Sequence, residues 1–396
     1  MVTRRSRPLR VTLTLALVTL SIAVVGHAVD GAVTALRGGS AVDYLSVASA
    51  GRLAHAGSHC LYCLAPLRDS QAQLLGYRPL DSPTFPIPFV DPPLVAWLLQ
   101  PLALLSLQAG TDIFVVLSLV AMAIAAALLH RRLPSTLPPA LRLALVVGSV
   151  FSVAAATGLV LGQWDGLLLL AAVVALGVAG RRPLLAGILL GVLLLKPQVI
   201  WVLPAVLIIG RQWRMLAGFT ITALVWAVSS LWLVGADHVH DLVDVLTSPA
   251  YSALNAYSSS VPGIVTRVAG SSRAAYISAS VLWVVVVGVI WWRARHRLRV
   301  DRDAVIAIGL GASILVAPHL GDYSLILLAI PIVVWARRAP LPALLFVVAL
   351  NAASFLEIVA HGSSDPASAV IVAAAAWLAW RGDTDVRNHQ RRPLRV

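Results

Sequence analysis

A chain of 396 residues with 59% apolar and only 12% charged side chains lies far from the roughly 45–50% and about 25% of a soluble globular chain. That composition excludes a water-soluble fold, a disordered chain, a coiled coil and a disulfide scaffold. The net charge of +13 does not point to nucleic acid, because the arginines sit in short clusters between apolar runs, as the positive-inside rule places them.

The expectation is an all-α, polytopic integral membrane protein. One integral domain covers 11–380, between a basic N-terminus (1–10) and a basic tail (381–396), both cytoplasmic. The first apolar run, Val11 to Val29, exceeds the 7–15-residue core of a signal peptide and reads as a retained helix. Thirteen apolar segments are visible: 11–29, 93–108, 113–129, 140–160, 166–180, 183–195, 198–210, 215–235, 276–292, 304–317, 323–336, 341–359 and 367–380. Two cytoplasmic termini require an even number, so about 12 transmembrane helices are expected. The Pro-bracketed segment 93–108 is the one read as re-entrant or interfacial.

Basic clusters at His130 to Arg132, Arg181-Arg182, Arg211 to Arg214, Arg293 to Arg302 and Arg337-Arg338 mark cytoplasmic turns. The Arg-poor turns between them face the other side. Segments 183–195 and 198–210 span only about 20 Å each at 1.5 Å per residue, which predicts a broken helix pair meeting at Lys196-Pro197. Two extracytoplasmic loops, about 30–91 and 236–275, are longer than connections need and are where function is sought first.

Chemistry-bearing residues cluster on that outer side. Lys196 is the sole lysine against 29 arginines, and it ends an apolar run where a buried cation is costly; a snorkelling interfacial cation is the competing reading. Gln163, Trp164 and Asp165 interrupt one apolar stretch, and His319, Asp322 and Tyr323 interrupt another. A convergent set of carboxylates, one histidine and cations suits an anionic lipid headgroup. Asp43, followed by Tyr44 just beyond the first span, is placed to accept a proton from an incoming hydroxyl; Asp30, Asp81 and Asp91 compete with it. Cys60 and Cys63 form a single C-x-x-C, favoured as a local disulfide over redox catalysis or zinc. No Walker loop, H-E-x-x-H or G-x-S-x-G is present, which removes sequence support for ATP-driven transport, metalloprotease and serine-hydrolase readings.

Six motifs then occur in a familiar order: Asp43-Tyr44 with Ala50 and Gly57, FVDPPLVAWLLQPLALL from Phe89, GQWDGLLLL from Gly162, GILLGVLLLKPQ from Gly187, NAYSSSVPGIVTR from Asn255 and APHLGDYSLILLAIP from Ala317. Together they resemble glycosyltransferase family 87, the polyprenol-phosphate-mannose-dependent mannosyltransferases of actinobacteria with the GT-C membrane fold. This chain departs from the family pattern in Asp165, where Asn is usual, in Val90-Asp91, where Tyr precedes Pro-Pro, and in a single His319, where paired histidines are common.

The resemblance implies inverting transfer of a mannosyl residue from a polyprenyl-phosphate donor to a glycolipid or lipoglycan hydroxyl on the outer face of the plasma membrane. It implies Asp43 as the base, and Lys196, His319 and Arg267 against the departing phosphate. Gln163, Asp165, Asn255, Tyr44 and Asp322 complete the substrate-binding set, and neither metal nor other cofactor is expected. Two further classes remain on the residues alone. A secondary transporter or flippase, which also uses broken helices, predicts flux without a covalent product. A non-catalytic envelope-assembly partner predicts that Asp43→Asn changes nothing.

Overall fold

The computed structural model describes residues 6–37, 42–77, 85–248, 251, 258–269 and 272–359. Among these the secondary structure is helical, with no strand. In chain order the helices are α1 (Ser6–Leu36), α2 (Val42–His55), α3 (Leu64–Leu75), α4 (Pro93–Leu98), α5 (Gln100–Ala103), α6 (Leu107–His130), α7 (Pro139–Val150), α8 (Val153–Leu161) and α9 (Asp165–Val178). They continue with α10 (Pro183–Gly191), α11 (Leu203–Ile209), α12 (Trp213–Val234), α13 (Val239–Thr247), α14 (Val261–Ala269), α15 (Ser272–Val300), α16 (Arg302–Val316), α17 (Ala329–Ala336) and α18 (Pro340–Val359).

Among the described residues four helical stretches are long and apolar enough to cross a membrane: Leu107–His130, Pro139–Leu161, Trp213–Val234 and Arg273–Val300. The last two expose rows of large apolar side chains, among them Leu224, Val228 and Trp232 on α12 and Ile277, Val281 and Val284 on α15, as a lipid-facing surface does. Pro139–Leu161 is mostly buried. Further apolar helices of 10–17 residues, such as Asp165–Val178 and Pro183–Leu195, fall short of the ~30 Å hydrocarbon core and are enclosed by their neighbours, the condition under which broken backbone is tolerated at membrane depth. The tail 381–396 and the segment 367–380 lie outside the described residues.

Two departures from the sequence expectation have local causes. The first helix does not stop at Val29 but continues through Asp30 to Leu36, because Ala32 and Ala35 are buried and α1 packs along α7 and α8. The first loop therefore begins later than residue 30, and it is not featureless, since α2 and α3 occupy much of it. The apolar run 140–160 is broken at Phe151-Ser152. There the Ser152 hydroxyl accepts from the Ala155 N–H at 3.3 Å, while Asn351 of α18 accepts from the Val153 N–H at 2.9 Å and donates to the Gly148 carbonyl at 2.8 Å. Backbone groups freed by the break are thereby satisfied inside the protein.

Segment 93–108 forms the two short helices α4 and α5 rather than a span. Close packing elsewhere depends on small residues: α10 and α12 approach so tightly that a Cβ on Gly187 would lie 1.9 Å from the Met215 carbonyl oxygen.

α9 positions the two polar centres of the bundle. Its C-terminal end meets Arg132, which donates to the Leu176 carbonyl at 3.0 Å, and Arg302, which donates to the Gly180 carbonyl at 2.9 Å. Arg132 and Arg337 both pair with Asp303, at 3.5 and 2.6 Å. Its N-terminal end, about 20 Å away at 1.5 Å per residue, begins with Asp165.

Candidate active site

The N-terminal end of α9 is built by a turn that needs glycine. α8 ends at Gly162 with φ +74°, a left-handed cap, and a Cβ there would lie 2.7 Å from the Cβ of Tyr44. The reversal presents Gln163 and makes Asp165 the first residue of α9, where a carboxylate is favoured by the helix dipole. A second break supplies the cation. Pro197 disfavours helical geometry in the residue before it, so Lys196, at φ −128° and ψ 83°, stands between two short 3-10 turns, Val192–Leu195 and Pro197–Val199.

These breaks bring one row of polar side chains together. Lys196 Nζ lies 2.6 Å from Asp165 Oδ2, with both side chains at most 5% exposed. The other carboxylate oxygen of Asp165 accepts from the Ser324 hydroxyl at 2.7 Å. Lys196 Nζ also donates to Gln163 Oε1, and Gln163 Nε2 donates to Asp43 Oδ2. The Tyr323 ring caps the ammonium, its centroid 4.3 Å from Nζ. A buried charge so compensated is tolerated; the same charge unpaired is not. The result is a continuous path of carboxylate, ammonium, amide and carboxylate from Asp165 to Asp43.

The environment of Asp43 favours a base with a raised pKa. Burial pushes its carboxyl up, with the Gln163 hydrogen bond and Lys196 opposing and Asp165 assisting. Asp91 shares the same field: burial, with Asp43 and Asp165 assisting and Lys196 opposing, pushes it up to about 7. A half-protonated Asp91 lowers the negative charge presented to an anionic ligand at neutral pH. Burial, together with Lys196, brings His319 down to about 4, so its imidazole is neutral at pH 7 and acts as a hydrogen-bonding group rather than a cation. Its Nδ1 and the Nε1 of Trp164, next to Gln163 in the chain, are buried without a hydrogen-bond partner among the described residues. Orphaned buried nitrogens suit a polar ligand.

The remaining site residues of the sequence reading are distributed differently. Tyr44 is 2% exposed, its ring tilts against Phe114 with centroids 5.6 Å apart, and its hydroxyl donates to the Leu102 carbonyl at 3.2 Å; it packs behind Asp43 rather than beside the polar row. Asp322 opens the 3-10 segment Asp322–Leu328 that carries Tyr323 and Ser324. Asn255 lies outside the described residues, as does the side chain of Arg267, whose backbone belongs to α14. Cys60 and Cys63 are joined in a disulfide with a Cα–Cα distance of 5.4 Å.

Sequence reasoning did not single out Ser324, although it directly follows the polar pair Asp322 and Tyr323. Tyr251, one of the residues by which the second long loop stood out in the sequence, has its ring 5.3 Å from that of His319.

The family model described as glycosyltransferase family 87 matches residues 89–318, more than half of the chain. No curated protein and no solved structure matches it.

Proposed function

The chain belongs to glycosyltransferase family 87, and from that premise we propose that this membrane glycosyltransferase moves a mannosyl residue from polyprenyl-phosphate mannose to a hydroxyl of a cell-envelope glycolipid or lipoglycan. Transfer takes place at the extracytoplasmic face of the plasma membrane and inverts the anomeric centre. The observation that carries the reading is the hydrogen-bonded row that runs from buried Asp165 and Lys196 to half-buried Gln163 and Asp43. It ends in a carboxylate of raised proton affinity, the property a general base needs near neutral pH.

In the proposed reaction the acceptor oxygen bonds to the anomeric carbon as the bond from that carbon to the phosphate oxygen breaks. The electron pair leaves with the polyprenyl phosphate, and the acceptor proton passes to Asp43. The transition state is oxocarbenium-like, as in other glycosyl chemistry. Gln163 fixes the rotamer of Asp43, and Lys196 fixes Gln163. Lys196 Nζ, engaged with Asp165, Gln163 and the face of the Tyr323 ring, is assigned to the departing phosphate as a nearby positive charge, where a cation in a dry site is worth most. The N–H groups of His319 and Trp164, with Arg267 and Asn255, are assigned to the sugar-phosphate. No step of the scheme calls for a metal. The basic end of α9, with Arg132, Arg302 and Arg337, is assigned to the cytoplasmic side by the positive-inside rule, which puts Asp43 on the outer side.

The test is transfer of radiolabel from synthetic polyprenyl-phosphate mannose into lipid-extractable product, with a crude envelope glycolipid as acceptor, in membranes with and without the chain. Product that depends on the chain is expected. Label entering only from a pentosyl donor such as polyprenyl-phosphate arabinofuranose would replace the donor. Absence of transfer from either, beside an active control enzyme, would overturn the reading in favour of a transporter.

A further inference from the structure

A second cluster of reactive side chains lies outside the polar row, where the turn after α2 meets the turn before α13. His59 Nδ1 donates to the Leu233 carbonyl at 2.7 Å, which ties the turn carrying Cys60 and Cys63 to the end of α12. The chain leaves α12 through the 3-10 turn Ala236–His238, so His238 and Asp241 arrive against the two cysteines. One ligand atom each from Cys60, His238 and Asp241 lies within 4.8 Å of the others, and Cys63 Sγ is 3.9 Å from Asp241 Oδ2. His238 Nδ1 and Asp241 Oδ2 are 2.7 Å apart, with side chains 32% and 24% exposed. His240 Nε2 approaches the other oxygen of Asp241 at 3.2 Å.

We propose that Cys60, Cys63, His238 and Asp241 form a redox-gated binding site for a zinc-class divalent cation, closed while the two cysteines are disulfide-bonded and open once they are reduced.

The donor set is the argument. A C-x2-C pair alone reads equally well as a disulfide, but here a nitrogen and a carboxylate oxygen face it from a segment distant in the chain, giving the four S, S, N and O donors of a tetrahedral zinc site. With Zn–S near 2.3 Å and Zn–N near 2.0 Å, ligand atoms in such a site stand roughly 3.3–3.8 Å apart, so closing the observed spacing takes movements of about an ångström in half-exposed side chains. His238 and Asp241 stand three residues apart where α13 begins and move together. The disulfide closes a loop only on itself, whereas the metal would cross-link the turn after α2 to the turn before α13. Opening requires a reductant. With a phosphine the S–S bond breaks, the phosphine takes the oxygen of one water and becomes the phosphine oxide, and two thiols form. Metal binding then releases the two thiol protons.

The test uses the full-length protein in detergent, freed of any affinity tag, reduced anaerobically with a phosphine and titrated with Co²⁺. About one Co²⁺ per chain is expected, with a thiolate-to-cobalt charge-transfer band and tetrahedral d–d bands that the oxidised protein lacks. His238→Ala and Asp241→Asn should each weaken binding by more than about tenfold, and the charge-transfer band should fall to about half in Cys60→Ser and vanish when both Cys60 and Cys63 are replaced by Ser, each variant being first checked for a monodisperse elution profile. A reduced protein that shows two titratable thiols but no such band would overturn the proposal, as would a band unchanged in both His238→Ala and Asp241→Asn.

Discussion

The two ends of α9 hold ion pairs of the same chemistry in different media. At the C-terminal end Asp303 is shared by Arg132 and Arg337, with all three side chains 24–30% exposed. At the N-terminal end Asp165 has a single cation, Lys196, and both are at most 5% exposed. Water screens the first set, so each of its contacts is worth about 0–1 kcal/mol. The second set is screened by nothing but its neighbours, which is why Ser324, Gln163 and the Tyr323 ring all converge on it. A carboxylate paired with cations therefore serves as an exposed clasp at one end and as a buried polar core at the other.

The sharpest way to break this comparison is to strand each carboxylate in turn. Lys196→Met leaves Asp165 charged and buried, at a cost of about 3–5 kcal/mol, and thermal unfolding in detergent should register it as a large loss. Ser324→Ala removes one hydrogen bond to a charged group, worth roughly 1.5–3 kcal/mol, and should lower the melting temperature by a smaller, resolvable step.

Asp91 gives the pH arm. Its carboxyl is raised from 3.8 to about 7 in the folded chain, so the folded state binds its proton more tightly than the unfolded state does. The stability it contributes is complete below the unfolded value and is lost as pH rises through about 7. Asp91→Asn, always neutral, should therefore gain on the wild type in melting temperature between about pH 5 and pH 8, and a constant difference across that range would contradict the assignment. The smallest effect belongs to the exposed end: Arg337→Met should cost about 0–1 kcal/mol, with transfer activity unchanged. Equal losses from Lys196→Met and Arg337→Met would erase the distinction between the two ends.

Much of the fold was legible in the sequence because bilayer chemistry writes itself into composition. Apolar runs separated by arginine clusters gave the helical class, and Pro197 after Lys196 gave the break that the structure places there. The length of α1 was not legible, because the apolar run ends at Asp30-Gly31, while burial of Ala32 and Ala35 carries the helix on to Leu36. In the site, Asp43, Gln163, Asp165 and Lys196 each stood out as polar interruptions, yet their order along one hydrogen-bonded row depends on how α2, α9 and the Lys196 break pack. Ser324 closes the polar interruption that begins at Asp322, but its role was not legible because its partner, Asp165, is distant in the chain. Tyr44 is the opposite case: the family resemblance put it in the substrate-binding set, while helical geometry turns it about 100° from Asp43 and packs it against Gly162.

The central claim is that the hydrogen-bonded row serves to hold Asp43 as a base. Its most direct test compares wild type and Asp43→Asn at matched levels in the transfer assay with polyprenyl-phosphate mannose, after the two have been shown to melt alike. A loss of about 10²–10⁴-fold in transfer rate is expected, the contribution of a positioned general base. Equal rates for the two proteins would contradict the claim and move the base to another carboxylate, with Asp91 the next to be replaced.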